Sequence, residues 1–257
     1  TQNTSFAWKR VAMLYQYNAP WIKKQTTIYF LFSLATCLLY LIIPSESMRM
    51  SVYGTCSTVL LFMFVWAPVV FTKGGDTRII DRMIPASPKE KIVFYMSYLL
   101  VVVGLACFFC PWMAVRLYHA FYPGKEVAVE AIRSVIKIPR LYEISQYLST
   151  IAAMMTCFYC VVAVRRDRVM KAYLVSTGVY IMASAMNSFY GIKESILWGY
   201  KAGVSMEKPA DEVEIAEMVY SAMSDHSVFF AICIAISLAY IIMLIWLGYR
   251  SLYRKNL

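Results

Sequence analysis

The sequence lacks the motifs of hydrolases and nucleotide-binding enzymes. It holds only two histidines, His119 and His226, and neither lies near a Ser–Asp arrangement of recognisable spacing. It contains no Gly-x-Ser-x-Gly, no His-Glu-x-x-His and no phosphate-cradling Gly-x-x-x-x-Gly-Lys. We therefore expect no catalysis and no cofactor in this chain, and any ATP and Mg²⁺ that it depends on would be bound by a partner subunit.

Charge is missing from six long apolar runs, which cover residues 26–43, 52–72, 92–115, 147–164, 172–192 and 228–249. A membrane span needs about 20 apolar residues, and a charge at its centre costs about 2.5–3.5 kcal/mol. The composition agrees, with 60% hydrophobic residues and a mean hydropathy of +0.58. The sequence predicts an all-α polytopic membrane protein, one domain over 1–257 with six transmembrane helices, and disfavours an ion-coupled carrier, which needs buried charges.

Cysteine is missing from the loops predicted to lie outside the membrane, since all seven cysteines fall within the apolar runs. A disulfide-stapled ectodomain is therefore excluded. Cys107/Cys110 and Cys157/Cys160 have the spacing of metal or redox pairs. At about 1.5 Å per residue they lie about 24 Å and about 10 Å above the inner face, so we expect no shared metal site. A membrane thiol oxidoreductase using Cys107 and Cys110 remains an alternative.

The net charge of +10 is distributed by membrane side. With the amino terminus inside, the inner segments hold sixteen of the 25 cationic residues but four of the 15 acidic ones. This asymmetry follows the positive-inside rule and predicts that both termini are cytoplasmic. The basic charge is thus explained by topology and by attraction to anionic membrane lipids, and nucleic-acid binding is not expected.

Amphipathic segments flank the predicted spans. Residues 1–24 read as an interfacial helix that ends near Pro20, after which Trp21, Lys23 and Lys24 would anchor the first span at the headgroups. The outer connections 116–144 and 193–227 each carry charged and apolar residues at helical spacing. We expect each of them to hold an amphipathic helix on the outer surface.

A charged inner segment, residues 73–91, separates the second and third apolar runs. Gly74 and Gly75 break the preceding helix, and a short helix over 77–85 is predicted to end at Pro85. Ser87-Pro88-Lys89-Glu90 then has the pattern of a capping box with proline at the first helical position. The segment is therefore expected to be structured and to start the third span sharply.

The phrase Asp81-Arg82-Met83-Ile84-Pro85-Ala86-Ser87-Pro88-Lys89-Glu90-Lys91 resembles the type-two (ABC-2-like) ABC transporter permeases, a bacterial exporter class with six helices per subunit. Members carry a Leu-Pro-x-Ser/Thr-x-x-Glu-like phrase that leads into the third span. The interfacial helix, the span count and the inner charged segment share the architecture of that family.

The resemblance implies a permease subunit of the inner (plasma) membrane. It would pair with a second copy or a sister permease and sit on ABC ATP-binding subunits, with ATP and Mg²⁺ held by those partners. Its cargo would be amphipathic or lipid-like. The residues that would contact the ATPase are Arg78, Ile79, Ile80, Asp81, Arg82, Met83, Ile84 and Pro85.

Two further alternatives stay open. Asn187 is a polar residue within the fifth apolar run, and it would either line a transport pathway or hydrogen-bond a neighbouring helix. The whole chain could also be an accessory or sensor membrane protein without transport activity.

The topology gives a direct prediction. A reporter that fluoresces only in the cytoplasm should fluoresce when fused after Leu257, because the carboxyl terminus is expected inside. The same reporter inserted between residues 116 and 144 should stay dark. Fluorescence from the insertion would contradict the predicted orientation.

Overall fold

The computed structural model describes residues 6–72, 86–107, 140–163, 167–205 and 227–255. These described ranges are almost entirely helical and contain no β-strand. The helices are α1 (Trp8–Ile42), α2 (Glu46–Val65), α3 (Pro88–Cys107), α4 (Arg140–Ala163), α5 (Arg168–Ser205) and α6 (Ser227–Lys255). A 3₁₀ turn, Ala67–Thr72, follows α2, and Ser97–Val103 of α3 is π-helical.

Five of these helices, α1, α3, α4, α5 and α6, are long and apolar enough to cross a membrane. The second predicted span differs, because its helix ends at Val65 and Pro68 lies in the 3₁₀ turn. The apolar part of α2, Ser51–Val65, is about 22 Å long against a hydrocarbon core of about 30 Å. The described residues are thus almost entirely helical and hold five candidate spans, and the sixth span and the cytoplasmic termini stay predictions.

The first helix is longer than the sequence predicts, since α1 runs without a break through Pro20. A separate interfacial helix ending at that proline is therefore not observed. Proline removes one backbone hydrogen bond, but Leu14 and Ile22 are buried on either side of it and hold the helix together. With 35 residues, α1 is about 52 Å long, so its charged amino-terminal half must project beyond the hydrocarbon.

The connection between α1 and α2 is only three residues long, residues 43–45, whereas the predicted spans 26–43 and 52–72 left residues 44–51 between them. Arg49 explains the tight turn. Its Nε and Nη2 donate to the carbonyl oxygen of Ile43 at 3.0 and 2.7 Å, and its guanidinium lies 5.8 Å from the centroid of the Tyr40 ring. The buried cation thus satisfies the carboxyl end of α1 and complements its dipole.

Contacts between residues divide the chain into two compact units. The first contains Thr1–Tyr122, Met154–Thr177 and Met243–Leu257, and the second contains Pro123–Ala153 and Gly178–Ile242. The helices α4, α5 and α6 each contribute residues to both units. The single domain over 1–257 stays a prediction, made because no soluble block long enough to bury its own core lies between the apolar runs.

The first unit has a core built around the 3₁₀ turn. Val69 of the turn packs with Cys157, Cys160 and Val161 of α4 and with Ala172 of α5. The ring of Phe71 contacts three aromatic rings of α3, those of Phe94, Tyr95 and Tyr98, at centroid distances of 5.9, 4.7 and 5.6 Å. The turn is thereby fixed to α3, α4 and α5.

Arg49 provides a test of the α1–α2 turn. Replacing it with methionine (Arg49→Met) should lower the free energy of unfolding by about 2 kcal/mol, because the carbonyl of Ile43 loses a charged donor. The measurement is denaturant unfolding of the purified protein in mild detergent.

Arg250 offers a matched control, since it is an exposed arginine that lies over Trp246. Arg250→Met should change stability by less than about 1 kcal/mol. Equal effects of the two substitutions would show that Arg49 does not stabilise the turn.

Candidate functional site

The start of α3 is the best-defined polar site in the first unit. The backbone N–H of Ser87 donates to Glu90 Oε2 at 2.7 Å, and the backbone N–H of Glu90 donates to Ser87 Oγ at 3.4 Å. Pro88 occupies the first turn of the helix. The predicted capping box is therefore confirmed, and α3 begins where the sequence indicates.

The second oxygen of Glu90 binds the start of α1. Glu90 Oε1 accepts the backbone N–H of Ala7 at 2.7 Å and Nε of Arg10 at 2.9 Å, and Nη2 of Arg10 is also 2.9 Å from it. One carboxylate thus satisfies the amino termini of two helices. We call the group formed by Ala7, Arg10, Ser87 and Glu90 the Arg10–Glu90 junction.

Burial makes this junction energetically important. The side chain of Glu90 is 0% exposed and that of Arg10 is 19% exposed. A buried carboxylate is costly unless it is paired and hydrogen-bonded, and Glu90 receives donors on both of its oxygens. Loss of Arg10 would leave that charge without its ion-pair partner, so the two helix starts are held to one geometry.

Sequence reasoning identified half of this site. It assigned Glu90 to the helix cap and placed Arg10 only within the interfacial segment 1–24, so it did not pair them. The two residues are 80 positions apart, and no local pattern joins them. The available signal was that a capping box uses one carboxylate oxygen and leaves the other for a donor.

Hydrogen bonds beyond the Arg10–Glu90 junction also join α1 to α3. Tyr15 Oη and Ser97 Oγ share a hydrogen bond of 2.7 Å, and Ser97 Oγ also donates to the carbonyl of Val93 at 2.7 Å. Ser97 is the first residue of the π-helical segment, and a serine bonded to the preceding turn is a recognised cause of local helix distortion. The wider turn of a π-helix therefore begins where α1 touches α3.

Gln25 makes the last of these contacts. Tyr98 Oη donates to Gln25 Oε1 at 2.6 Å, and Gln25 Nε2 donates to the carbonyl of Ala67 at 3.1 Å. A single amide thus connects α1 with α3 and with the 3₁₀ turn. The three levels of contact, at Arg10, Tyr15 and Gln25, fix α1 to α3 over about four helical turns.

The predicted ATPase-contacting residues Arg78, Ile79, Ile80, Asp81, Arg82, Met83, Ile84 and Pro85 lie outside the described residues. Both flanks of that segment belong to the described part. On one side is the 3₁₀ turn that ends at Thr72, and on the other are the buried Ala86 and the capping box. Both flanks are in the first unit.

Asn187 lies in the second unit, where its side chain is 1% exposed. Ser145 Oγ donates to Asn187 Oδ1 at 2.5 Å, and Asn187 Nδ2 donates to Ser149 Oγ at 2.8 Å. The asparagine of α5 therefore bonds two serines of α4. This is the helix-bonding arrangement that the sequence left open beside a pathway role.

The cysteine pairs are only partly described. Cys107, Cys157 and Cys160 are buried free thiols, whereas Cys110 lies outside the described ranges. Among the described residues, no three His, Cys, Asp or Glu side chains come together in a way that could hold a metal ion.

Comparisons of the chain with known protein families, with curated proteins and with solved structures find no match. Its function is therefore inferred from its own residues.

The Arg10–Glu90 junction can be tested by a double-mutant cycle. Arg10→Gln should lower the free energy of unfolding by about 3 kcal/mol, because it leaves a buried carboxylate without its cation. The double variant Arg10→Gln/Glu90→Gln should cost less than the sum of the single variants by at least about 1 kcal/mol. Denaturant unfolding in mild detergent gives both values.

Lys9 is the matched control, since it is an exposed cation directly before Arg10. Lys9→Gln should change stability by less than about 0.5 kcal/mol. Strict additivity of the Arg10 and Glu90 substitutions would show that the two side chains do not depend on each other.

Proposed function

We propose that this chain is the transmembrane permease subunit of an ATP-driven exporter of the ABC-2-like class. It couples ATP hydrolysis on a separate subunit to the movement of an amphipathic or lipid-like cargo. The observation that carries the proposal is the Arg10–Glu90 junction, which links the end of the inner charged segment to two helices at once.

The junction gives the proposed coupling a physical route. In this mechanism an ATPase subunit contacts residues 77–85 and displaces them. The capping box starts only two residues after Pro85, so a displacement passes directly into α3 through Pro88 and Glu90. Glu90 then pulls on Arg10, and α1 moves with α3.

The contacts above the junction support this route. The hydrogen bonds of Tyr15 with Ser97 and of Gln25 with Tyr98 keep α1 and α3 in register beyond the ion pair. The ring of Phe71 also attaches the other flank of the charged segment to α3. A push at residues 77–85 would therefore move a connected group of elements and would not be absorbed by a single loop.

The finer features of the proposal follow from the sequence. The chain has six spans with both termini in the cytoplasm of a bacterial cell and lies in the inner membrane. It works as a dimer with a second copy or a sister permease. Large apolar side chains are exposed along α1, α5 and α6, and they suit contact with lipid, with cargo or with the second permease.

A pull-down from the native membrane tests the function. The full chain, purified in mild detergent, should bring down an ATP-binding cassette protein in roughly equal amount, together with ATPase activity. The charge swap Asp81→Arg/Arg82→Asp should abolish that association, because it reverses the proposed contact while the net charge is unchanged.

Lys89 provides a control at the neighbouring helix start, where it is exposed. Lys89→Gln should leave the ATPase bound. A chain that arrives without a nucleotide-binding partner, or an association that survives the charge swap, would overturn the proposal and favour an accessory membrane protein.

A further inference from the structure

A cleft in the first unit opens beside the amino-terminal half of the first span. It has a volume of about 240 Å³ and lies between α1, the end of α2, the 3₁₀ turn and the start of α5. Its lining combines polar side chains, among them Trp21, Lys24 and Tyr29, with apolar ones, among them Ile28, Met63 and Val70.

The polar side chains of the cleft offer donors. Both amide hydrogens of Gln25 are used, one by Tyr29 Oη at 2.8 Å and one by the carbonyl of Ala67, and its oxygen accepts from Tyr98. Tyr29 Oη thus accepts from Gln25 and keeps its own hydrogen to donate, and the cleft also has the ammonium of Lys24 and the indole N–H of Trp21. One cation and two neutral donors favour an acceptor-rich anion, and a phosphate group has that chemistry.

Apolar side chains of α1 in and beside the cleft are exposed. Ile28, which lines the cleft, is 50% exposed, and Leu31, one turn further on, is 56% exposed. The rings of Trp66 and Tyr173 also line the cleft and meet edge to face at 5.1 Å. Trp66 Nε1 donates to Thr177 Oγ1 at 3.2 Å, which fixes the position of the indole. An acyl chain lying on this surface would remain in apolar surroundings along its length.

The cleft also lies at the level expected for lipid headgroups. Trp and Lys at one end of an apolar helix mark the membrane interface, and Trp21, Lys23 and Lys24 stand there on α1. The hydrophobic residues after Lys24 then run to Ile42 without a charge. Lys24 is thus the last cation before the hydrocarbon.

We propose that this cleft is a binding site for an anionic phospholipid. Lys24, Trp21 and Tyr29 hold the phosphate, and the first part of one acyl chain lies against Ile28, Met63 and Val70. The cleft is smaller than the roughly 300–1,000 Å³ of pockets that enclose drug-sized ligands, so it takes the upper part of a lipid whose tail stays in the bilayer. The lipid bridges α1, α2 and the 3₁₀ turn, and the site does not depend on the proposed export activity.

The experiment measures lipid binding to the full chain in mild detergent, by native mass spectrometry and by the thermal unfolding midpoint. Phosphatidylglycerol should bind and raise the midpoint, whereas phosphatidylcholine and soluble glycerol phosphate should not. Lys24→Gln should weaken phosphatidylglycerol binding about fivefold. Lys23→Gln is the matched control, because Lys23 is also exposed but does not line the cleft, and this variant should bind phosphatidylglycerol as the unchanged chain does.

A second pair of variants tests the apolar lining without a change of charge. Ile28→Trp should add bulk to the lining of the cleft and reduce binding, whereas Leu31→Trp, one turn further along α1 and outside the lining, should not. Equal losses with Lys23→Gln and Lys24→Gln would indicate diffuse attraction to the surface and overturn the site. Equal binding of both phospholipids, binding of glycerol phosphate alone, or self-association of the chain through this face would overturn it as well.

Discussion

The ion pair between Arg10 and Glu90 is the interaction on which the rest of the first unit depends. Glu90 is fully buried, and its two oxygens accept donors from the starts of α1 and α3. A carboxylate in that position is tolerable only while all of these donors are present, so the two helices must begin at one point and in one orientation. The contacts at Tyr15 and Gln25 then extend this fixed start along the helices.

This constraint also relates the two proposals to each other. An exporter subunit needs rigid elements that transmit a displacement, and the pairing of α1 with α3 supplies them. The lipid cleft lies further along α1, where Gln25 contacts the 3₁₀ turn and orders the neighbouring Tyr29. A phospholipid at Lys24 would therefore reinforce the same set of elements from the membrane side.

Much of the fold could be predicted from local patterns. Uncharged apolar runs predicted the helices, and Ser87, Pro88 and Glu90 predicted the start of α3, because a capping box is complete within four residues. The prediction went wrong at Pro20 and at the α1–α2 turn. At Pro20 the burial of Leu14 and Ile22 outweighed the local signal. At the turn the hydrogen bonds of the buried Arg49 to the carbonyl of Ile43 did so.

The sequence alone therefore determined the all-helical class and the capping of α3, since each of these depends on hydropathy or on residues a few positions apart. Tertiary structure decided which polar groups meet. Arg10 reaches Glu90 across 80 residues, Gln25 reaches Tyr98 across 73, and Asn187 reaches two serines of α4. The packing of the helices decides these pairs, because a buried donor forms its hydrogen bond with an acceptor that packing brings next to it.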